Sequence, residues 1–371
     1  MKDIRKHKRI YLLTLIPLSF LLVFIAKQSS FFAEQIFALS VYKWISQIVS
    51  VVTQVVAFSL AEVLIILLPI ILLFIFIRFV IKLLNDKETR THRLIMGIIN
   101  VLCVGSVVMF LFVITAGINY YRYPFSYYSN LEVRDSYVEE LYALTMSLTM
   151  DANKYREMTI SDSSGVFQLS TDLYELADLA AEAMDLLAEE YPVLSGPHSA
   201  PKPIMSSALM SYTEITGIFF PFTMEANVNV DIPDYSIPST MLHELAHLRG
   251  FMREDEANYI AYLAGMKSNH PDLNYSSTMM ALIISGNALY DQDKDLYFDI
   301  RDHYSEAVIR DIRANSQYWQ QFEDTAVSTV SNRINDTYLK VNDQTDGVKS
   351  YGRMVDLLLA KYRKERLEMI E

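Results

Sequence analysis

The sequence predicts a mainly helical protein of the α+β class, in which a membrane-spanning N-terminal part precedes a helix-rich polar domain. Three observations support this prediction: long apolar runs before residue 117, helical periodicity in most of the remaining chain, and a short β-rich stretch between residues 204 and 230. Hydrophobic residues form 51% of the 371 residues, and the excess over a soluble protein lies in the first third. We therefore expect two parts, residues 1–117 and residues 118–371.

Three apolar runs have the length of membrane spans. They cover about residues 10–26, 60–80 and 94–117, close to the roughly 20 residues that a helix needs to cross the hydrocarbon core. The segment 36–59 is also apolar, but it carries Lys43 and several Ser, Thr and Gln residues. We predict that this segment is amphipathic and lies at the membrane interface or packs against the protein.

The charge distribution predicts the orientation of the spans. Residues 1–117 carry a net charge of +7 and residues 118–371 a net charge of −19. The basic residues of the first part lie in the N-terminal tail and in the loop after the second run, and such loops stay in the cytoplasm. We expect a multi-pass protein of the cell membrane with residues 118–371 on the extracytoplasmic side. The lipid bilayer is one partner, and the acidic domain argues against nucleic acid.

Residues 118–371 are predicted to be mostly helical. Amphipathic periodicity favours helices at about 136–154, 169–190, 274–291, 294–322, 326–341 and 350–367. Alternating or β-branched residues predict strands at 204–212, 216–220 and 225–230. Residues 224–230 are a candidate edge strand, to which an extended peptide could add as one more strand, and the alternative is an ordinary core strand.

The motif His243-Glu244-Leu245-Ala246-His247 carries the chemistry. Residues four apart share one face of a helix, so both imidazoles can bind one metal ion. The carboxylate of Glu244 stands where it can act as general base toward a metal-activated water. We expect Ser239 or Thr240 to cap this helix, Gly250 to end it, and a second helix to begin at Glu254. Because the one cysteine, Cys103, lies in an apolar run, a metal site has to use histidine and carboxylate ligands.

A third metal ligand is expected just after the turn. Glu254 and Glu256 are both long enough to reach the ion, and the choice between them stays open. Glu254 is preferred because Asn258 lies one helical turn further on and can hydrogen-bond a ligand histidine. Two histidines and a carboxylate that leave one position open are typical of catalytic Zn²⁺ sites.

The chain resembles a bacterial membrane family, domain-of-unknown-function family 3810. The resemblance is strongest at residues 221–227, 243–251 and 253–258 and extends to 335–340 and 350–353. It implies about three spans and a zincin-like, zinc-peptidase-like domain, without a substrate. Glu254 followed by Asn258 is also similar to the glutamate and aspartate of thermolysin-like gluzincins, although the spacing is shorter here. The position of Gly250 resembles the metzincin motif, but Arg253 occupies the place of its third histidine.

A peptidase of this kind also needs a donor to the oxyanion that forms during peptide hydrolysis. By side-chain chemistry the candidates are Tyr338 and Tyr351, which we prefer, and Arg249, Arg253 and His303. The expected function is that of a membrane-anchored, zinc-dependent metallopeptidase acting on a protein or a cell-envelope peptide. The alternative is a non-catalytic membrane sensor or scaffold that has a structural zinc site or binds no metal.

Overall fold

The computed structural model describes residues 8–323, 325–342, 344 and 353–368, and the protein is mainly helical with two small sheets. The helices of the N-terminal part are α1 (Leu15–Gln28), which follows a 3₁₀ turn at Lys8–Thr14, a π-helix (Phe32–Tyr42) that continues into α2 (Lys43–Gln54), α3 (Leu60–Asn85) and α4 (Arg90–Thr115). The polar part contains α5 (Phe125–Ser129), α6 (Val138–Glu157), α7 (Leu173–Glu190), α8 (Ser207–Ser211), α9 (Ile237–Leu248), α10 (Glu254–Lys267), α11 (Pro271–Gln292), α12 (Lys294–Arg301), α13 (Glu306–Gln320), α14 (Ala326–Val341) and α15 (Met354–Glu368).

Four helices of the described chain are long and apolar enough to cross a membrane, which indicates a membrane protein. They are Lys8–Gln28, Phe32–Gln54, Leu60–Asn85 and Arg90–Thr115. The sequence identified three candidate spans and the described structure has four, because the helix that holds most of segment 36–59 begins earlier, at Phe32, and so gains apolar residues. By length and composition alone it is a further candidate span.

Helix Phe32–Gln54 also packs against the polar part of the protein. The Tyr42 hydroxyl donates to the main-chain oxygen of Leu248 at 3.0 Å, at the end of α9. Further along, the Ser50 hydroxyl bonds that of Ser199 at 2.9 Å, and the Thr53 hydroxyl donates to a main-chain oxygen in the turn before β5. This helix is therefore part of the protein core, as well as being apolar.

The strands are short. A hairpin joins β1 (Ile160–Ser161) to β2 (Phe167–Gln168), and a second sheet has the order β3 (Lys202–Pro203), β5 (Glu225–Val228), β4 (Gly217–Phe220), with β5 parallel to β3 and antiparallel to β4. Every residue of β5 is buried. The candidate edge strand 224–230 is instead the core strand of the alternative interpretation: β5 is central, and β3 and β4 are the two edges of this sheet. The predicted strand 204–212 was wrong, because α8 occupies this stretch.

Most predicted helices of the polar part are confirmed to within a few residues, and 326–341 coincides with α14. The predicted helix 294–322 is two helices, since the chain leaves the helical conformation after Arg301 and Ser305 starts α13. The Ser305 side chain accepts a hydrogen bond from the Val308 amide, which is a local N-cap that competes with a continuous helix. Helix α9 lies at the centre of the domain, between α7, α10 and α11 on one side and strands β4 and β5 on the other.

Candidate metal centre

Helix α9 carries the HExxH motif and ends at a sharp turn. Pro238 lies in its first turn, where its missing amide costs no hydrogen bond. Ser239 and Thr240, predicted as caps, lie inside the helix instead, because it begins at Ile237. Gly250 ends it as predicted: its φ is +91°, a left-handed conformation that favours glycine, and its amide donates to His247 O at 2.8 Å.

The turn brings α10 back against α9, so that three potential ligands meet. Among the described residues, His243, His247 and Glu254 form a group whose ligand atoms all lie within 4.8 Å of one another. The Oε2 of Glu254 is 3.1 Å from His243 Nε2 and 3.6 Å from His247 Nε2. All three side chains are largely buried. A single cation can therefore be held by two imidazoles and one carboxylate.

The other nitrogen of each imidazole, Nδ1, already makes a hydrogen bond. His243 Nδ1 lies 2.7 Å from the Asn258 side-chain oxygen, and His247 Nδ1 lies 2.8 Å from the main-chain oxygen of Phe251. Both oxygens can only accept, so each Nδ1 carries a proton and each Nε2 is the nitrogen that can bind a cation. This is the arrangement that orients histidine ligands in metal sites, and it includes the predicted role of Asn258.

The electrostatics of the three ligands are strongly coupled. Burial raises the pKa of Glu254, but the neighbouring His247 and His243 outweigh this effect and hold its pKa well below the usual value. Burial lowers the pKa of His247, but the charge of Glu254 and a hydrogen bond to it raise this pKa to about 9. The centre thus stabilises a positive charge beside Glu254, which is the charge that a bound cation supplies.

Glu244 lies beside the ligands and beneath strand β4. Its carboxylate is buried, its Oε2 has no hydrogen-bond partner among the described residues, and burial raises its pKa. A Cβ added at Gly217 of β4 would stand 2.5 Å from Glu244 Oε1 and 2.8 Å from a Thr240 methyl carbon. Only a glycine lets the strand approach this closely. The carboxyl group is thus confined between the helix and the strand.

Strand β4 presents one edge of its backbone to this site. The Asn229 amide donates to Thr216 O at 2.8 Å, so residue 216 faces β5. Because hydrogen-bonding direction alternates along antiparallel strands, 218 and 220 also face β5, while the amides and carbonyls of Gly217 and Phe219 point away from it. No described strand pairs with this outer edge. The Phe219 amide is close enough to Glu244 to lower its pKa slightly.

The structure separates the two candidate third ligands. Glu256 pairs with Arg253 and accepts the Phe125 amide at 2.6 Å, away from the histidines. Glu254 is the carboxylate that meets them, and its own amide donates to the side-chain oxygen of Gln344 at 3.3 Å. Gln344 and Gly217 were missed by sequence reasoning. Nothing in their local sequence marks them, since each is close to the site only through the fold.

The candidate oxyanion donors are scattered. Burial raises the pKa of Tyr338 in α14 to about 12, with a smaller contribution from the Glu254 charge, and its hydroxyl bonds that of Tyr120 at 3.0 Å. Tyr351 lies outside the described residues. The other three have structural partners elsewhere: Arg249 bonds Asp185 and Leu194 O, Arg253 bonds Glu256, and the exposed His303 bonds Asp299 O.

Comparison with known proteins places the chain in a family. No curated protein and no solved structure matches it. The family described as "Protein of unknown function (DUF3810)" matches residues 37–359, which include α2, the metal-ligand group and the start of α15. The match starts within helix Phe32–Gln54, in agreement with the packing of that helix against α9. The chain therefore belongs to the DUF3810 family.

Proposed function

We propose that the protein is a membrane-anchored, zinc-dependent metallopeptidase. The observation that carries this proposal is the meeting of His243 Nε2, His247 Nε2 and Glu254 Oε2 with the buried carboxylate of Glu244 beside them. Two imidazoles and one carboxylate are a ligand set of hydrolytic zinc enzymes, and three protein ligands leave a position free for chemistry. A structural zinc site usually has four protein ligands.

Zinc, when bound, would polarise the peptide carbonyl and make water a better nucleophile. Glu244 would accept a proton from the attacking water as its oxygen bonds to the carbonyl carbon. The same carboxyl group would then pass the proton to the amine as the C–N bond breaks. One water is consumed, and a carboxylate and an amine are released.

The substrate is proposed to lie along the outer edge of β4. Gly217 and Phe219 offer backbone donors and acceptors there, so an extended peptide can add to the sheet as one more strand. Gly217 places this edge directly over Glu244. Of the two preferred tyrosines, Tyr338 is the one that lies within the described residues, and it remains the candidate for the oxyanion donor. A protein or a cell-envelope peptide remains the proposed substrate.

We further propose that α1, α3 and α4 cross the membrane and that helix Phe32–Gln54 lies on the polar domain. Three helix ends adjoin this domain. The C-terminal ends of α1 and α4 contact Tyr120 and its neighbours, and the N-terminal end of α3 is bound by Glu225. Three crossings place the domain opposite the basic loop 86–93. By the distribution of basic residues, this side is extracytoplasmic.

The proposal is tested with the full-length chain in detergent, incubated with a proteome-derived peptide library. New amino termini are identified by mass spectrometry before and after treatment with a chelator. Cleavage that stops with the chelator, returns with zinc and is absent in Glu244→Gln supports the proposal. Exposed His303 provides a control, since His303→Ala leaves the ligand group intact. Zinc binding without any cleavage would instead favour the sensor or scaffold.

A further inference from the structure

The metal centre is tied at two separate points to the helices that enter the membrane. The first point is the start of α3. The carboxylate of Glu225, at the beginning of β5, accepts the amides of Leu60 and Ala61 at 3.1 and 2.8 Å. It also pairs with the buried Lys202 at 2.6 Å. Glu225 stands opposite Phe220 in the sheet, so the end of β4 is fixed to the first turn of α3.

The contact between Glu225 and α3 lies close both to the exposed apolar surface of α3 and to the Glu244 carboxylate. The exposed apolar surface of α3 begins at Leu64, about 6 Å along the helix from Leu60. In the other direction, Gly217 lies three residues from Phe220, about 10 Å along the strand. The carboxylate of Glu244 adjoins Gly217. The reacting centre is thus on the order of 10 to 20 Å from the apolar layer.

The second point of attachment is helix α14. Tyr338 lies against Phe112, in the last turn of α4, with ring centroids 6.2 Å apart. Gln344, just beyond the helix, accepts the Glu254 amide at 3.3 Å and donates its own amide to Leu339 O of α14 at 3.0 Å. Large apolar side chains form a stripe on this helix, within an arc of about 60°. The members of the stripe are 50% to 73% exposed although Ser328 and Leu339, on the other side of the helix, are buried: Val327, Val330, Ile334 and Val341.

The bilayer surface is the occupant that fits this apolar stripe. The stripe adjoins Tyr338, which contacts Phe112 of an apolar helix, and polar residues lie on the neighbouring exposed face, as in helices that lie in a membrane interface. Exposed apolar side chains also surround the other attachment point, next to the Glu225 cap: Val55, Phe58, Met205 and Phe222. The metal centre therefore lies between two exposed apolar surfaces, the stripe on α14 and the residues around Glu225, and both could contact the bilayer.

We propose that the metal centre faces the bilayer surface and that its substrate is the segment directly adjoining a membrane span of another polypeptide. This inference rests on the proposed peptidase function. A chain leaving the bilayer beside α3 would run along β4 in an extended form. It would reach Glu244 about three to six residues beyond the membrane boundary. The bond cleaved would be a peptide bond, with water added across it as described above.

Two measurements test the proposal. The first needs no activity: single nitroxide labels are placed at Val330→Cys and Phe222→Cys in full-length Cys103→Ser chains reconstituted in liposomes. Ser163→Cys, in the exposed turn between β1 and β2, is the control. We expect oxygen to relax the first two labels more than a water-soluble nickel chelate does, with the opposite order at residue 163. Equal chelate access at all three positions would overturn the proposal.

The second measurement compares substrates in the same liposomes. A random peptide segment is joined to a synthetic transmembrane helix, either directly or through a 25-residue Gly/Ser spacer, and is also supplied free. We expect the direct form to be cleaved at least about tenfold faster, with the cuts within about six residues of the boundary. If the free form is cleaved equally fast, the proposed membrane-adjoining substrate is wrong, but the proposed peptidase function is supported. No cleavage of any form overturns both.

Discussion

Asn258 illustrates how the site depends on single residues that do not themselves bind the metal. Its side-chain oxygen lies 2.7 Å from His243 Nδ1 and fixes which nitrogen of that ring faces Glu254. The corresponding support for His247 comes from the main-chain oxygen of Phe251. A side chain can be removed by substitution and a main-chain carbonyl cannot, so Asn258 is the residue at which this support can be measured.

We expect Asn258→Ala to weaken zinc binding about 10- to 100-fold, since the His243 ring loses its orienting acceptor. Asn258→Asp retains an acceptor and should bind zinc at least as well as the wild type. The measurement is competition with a chelator of known affinity, on full-length protein in detergent. The control is Asn153→Ala, an asparagine outside the site that bonds Ser305. Unchanged zinc affinity in Asn258→Ala would contradict this role.

The residues of the HExxH motif could be predicted because their relation is local. A spacing of four on a helix fixes the shared face of His243 and His247 before any tertiary contact forms. The preference for Glu254 over Glu256 came from the same local argument through Asn258, and the structure places the two glutamates accordingly. Gly217 and Gln344 could not be predicted, because they reach the site across long sequence separations and carry no motif.

Strand β4 and helix α9 form the pair of elements on which the proposed reaction depends. Their contact at Gly217 and Glu244 is closer than any side chain would allow. The sequence identified both strands of this hairpin but not their order in the sheet. Strand order is set by which edge receives β3, and the pairing of Lys202 with Asn227 is not visible in local periodicity. For this reason the candidate edge strand was the central one.

Gly217→Ala is expected to separate catalysis from metal binding. The added methyl group would displace the Glu244 carboxylate or push the strand away. Peptidase activity should therefore fall by about 10² or more, at a stability cost of about 1–3 kcal/mol. Zinc content should be unchanged, because Gly217 does not contact a ligand. Cleavage rate and zinc content are measured on the same preparation.

Gly286→Ala is the matched control, since a Cβ there would meet its nearest atom at an ordinary 3.5 Å. Activity of Gly217→Ala equal to that of Gly286→Ala would contradict the proposed geometry of β4.

At the scale of the whole molecule, the polar domain packs directly against the apolar helices and shares buried contacts with them. Arg122 forms a buried pair with Glu34 of helix Phe32–Gln54 at 2.6 Å and lies over the ring of Phe251 at 4.0 Å. Phe251 in turn supports His247. Composition placed the boundary of the two parts near residue 117, but composition reports only where apolar residues are dense. It does not report that an apolar helix supplies contacts to a polar domain.

Residues 118–371 expressed alone are therefore expected neither to unfold cooperatively nor to bind zinc. Arg122 would be left buried without Glu34, which typically costs about 3–5 kcal/mol, and the Tyr42 hydrogen bond to α9 would be lost. Co-expression with residues 1–117 should restore both properties. Thermal unfolding and zinc content are the measurements. A folded, zinc-binding 118–371 fragment would show that helix Phe32–Gln54 is dispensable.

The most direct test of the account is the zinc content of the purified full-length protein beside His243→Ala and Glu244→Gln. We predict one zinc per chain, lost in His243→Ala because a ligand is removed and retained in Glu244→Gln because the base is not a ligand. His303→Ala should retain its zinc as well. Folded wild-type protein without zinc after growth in zinc-containing medium would contradict the account.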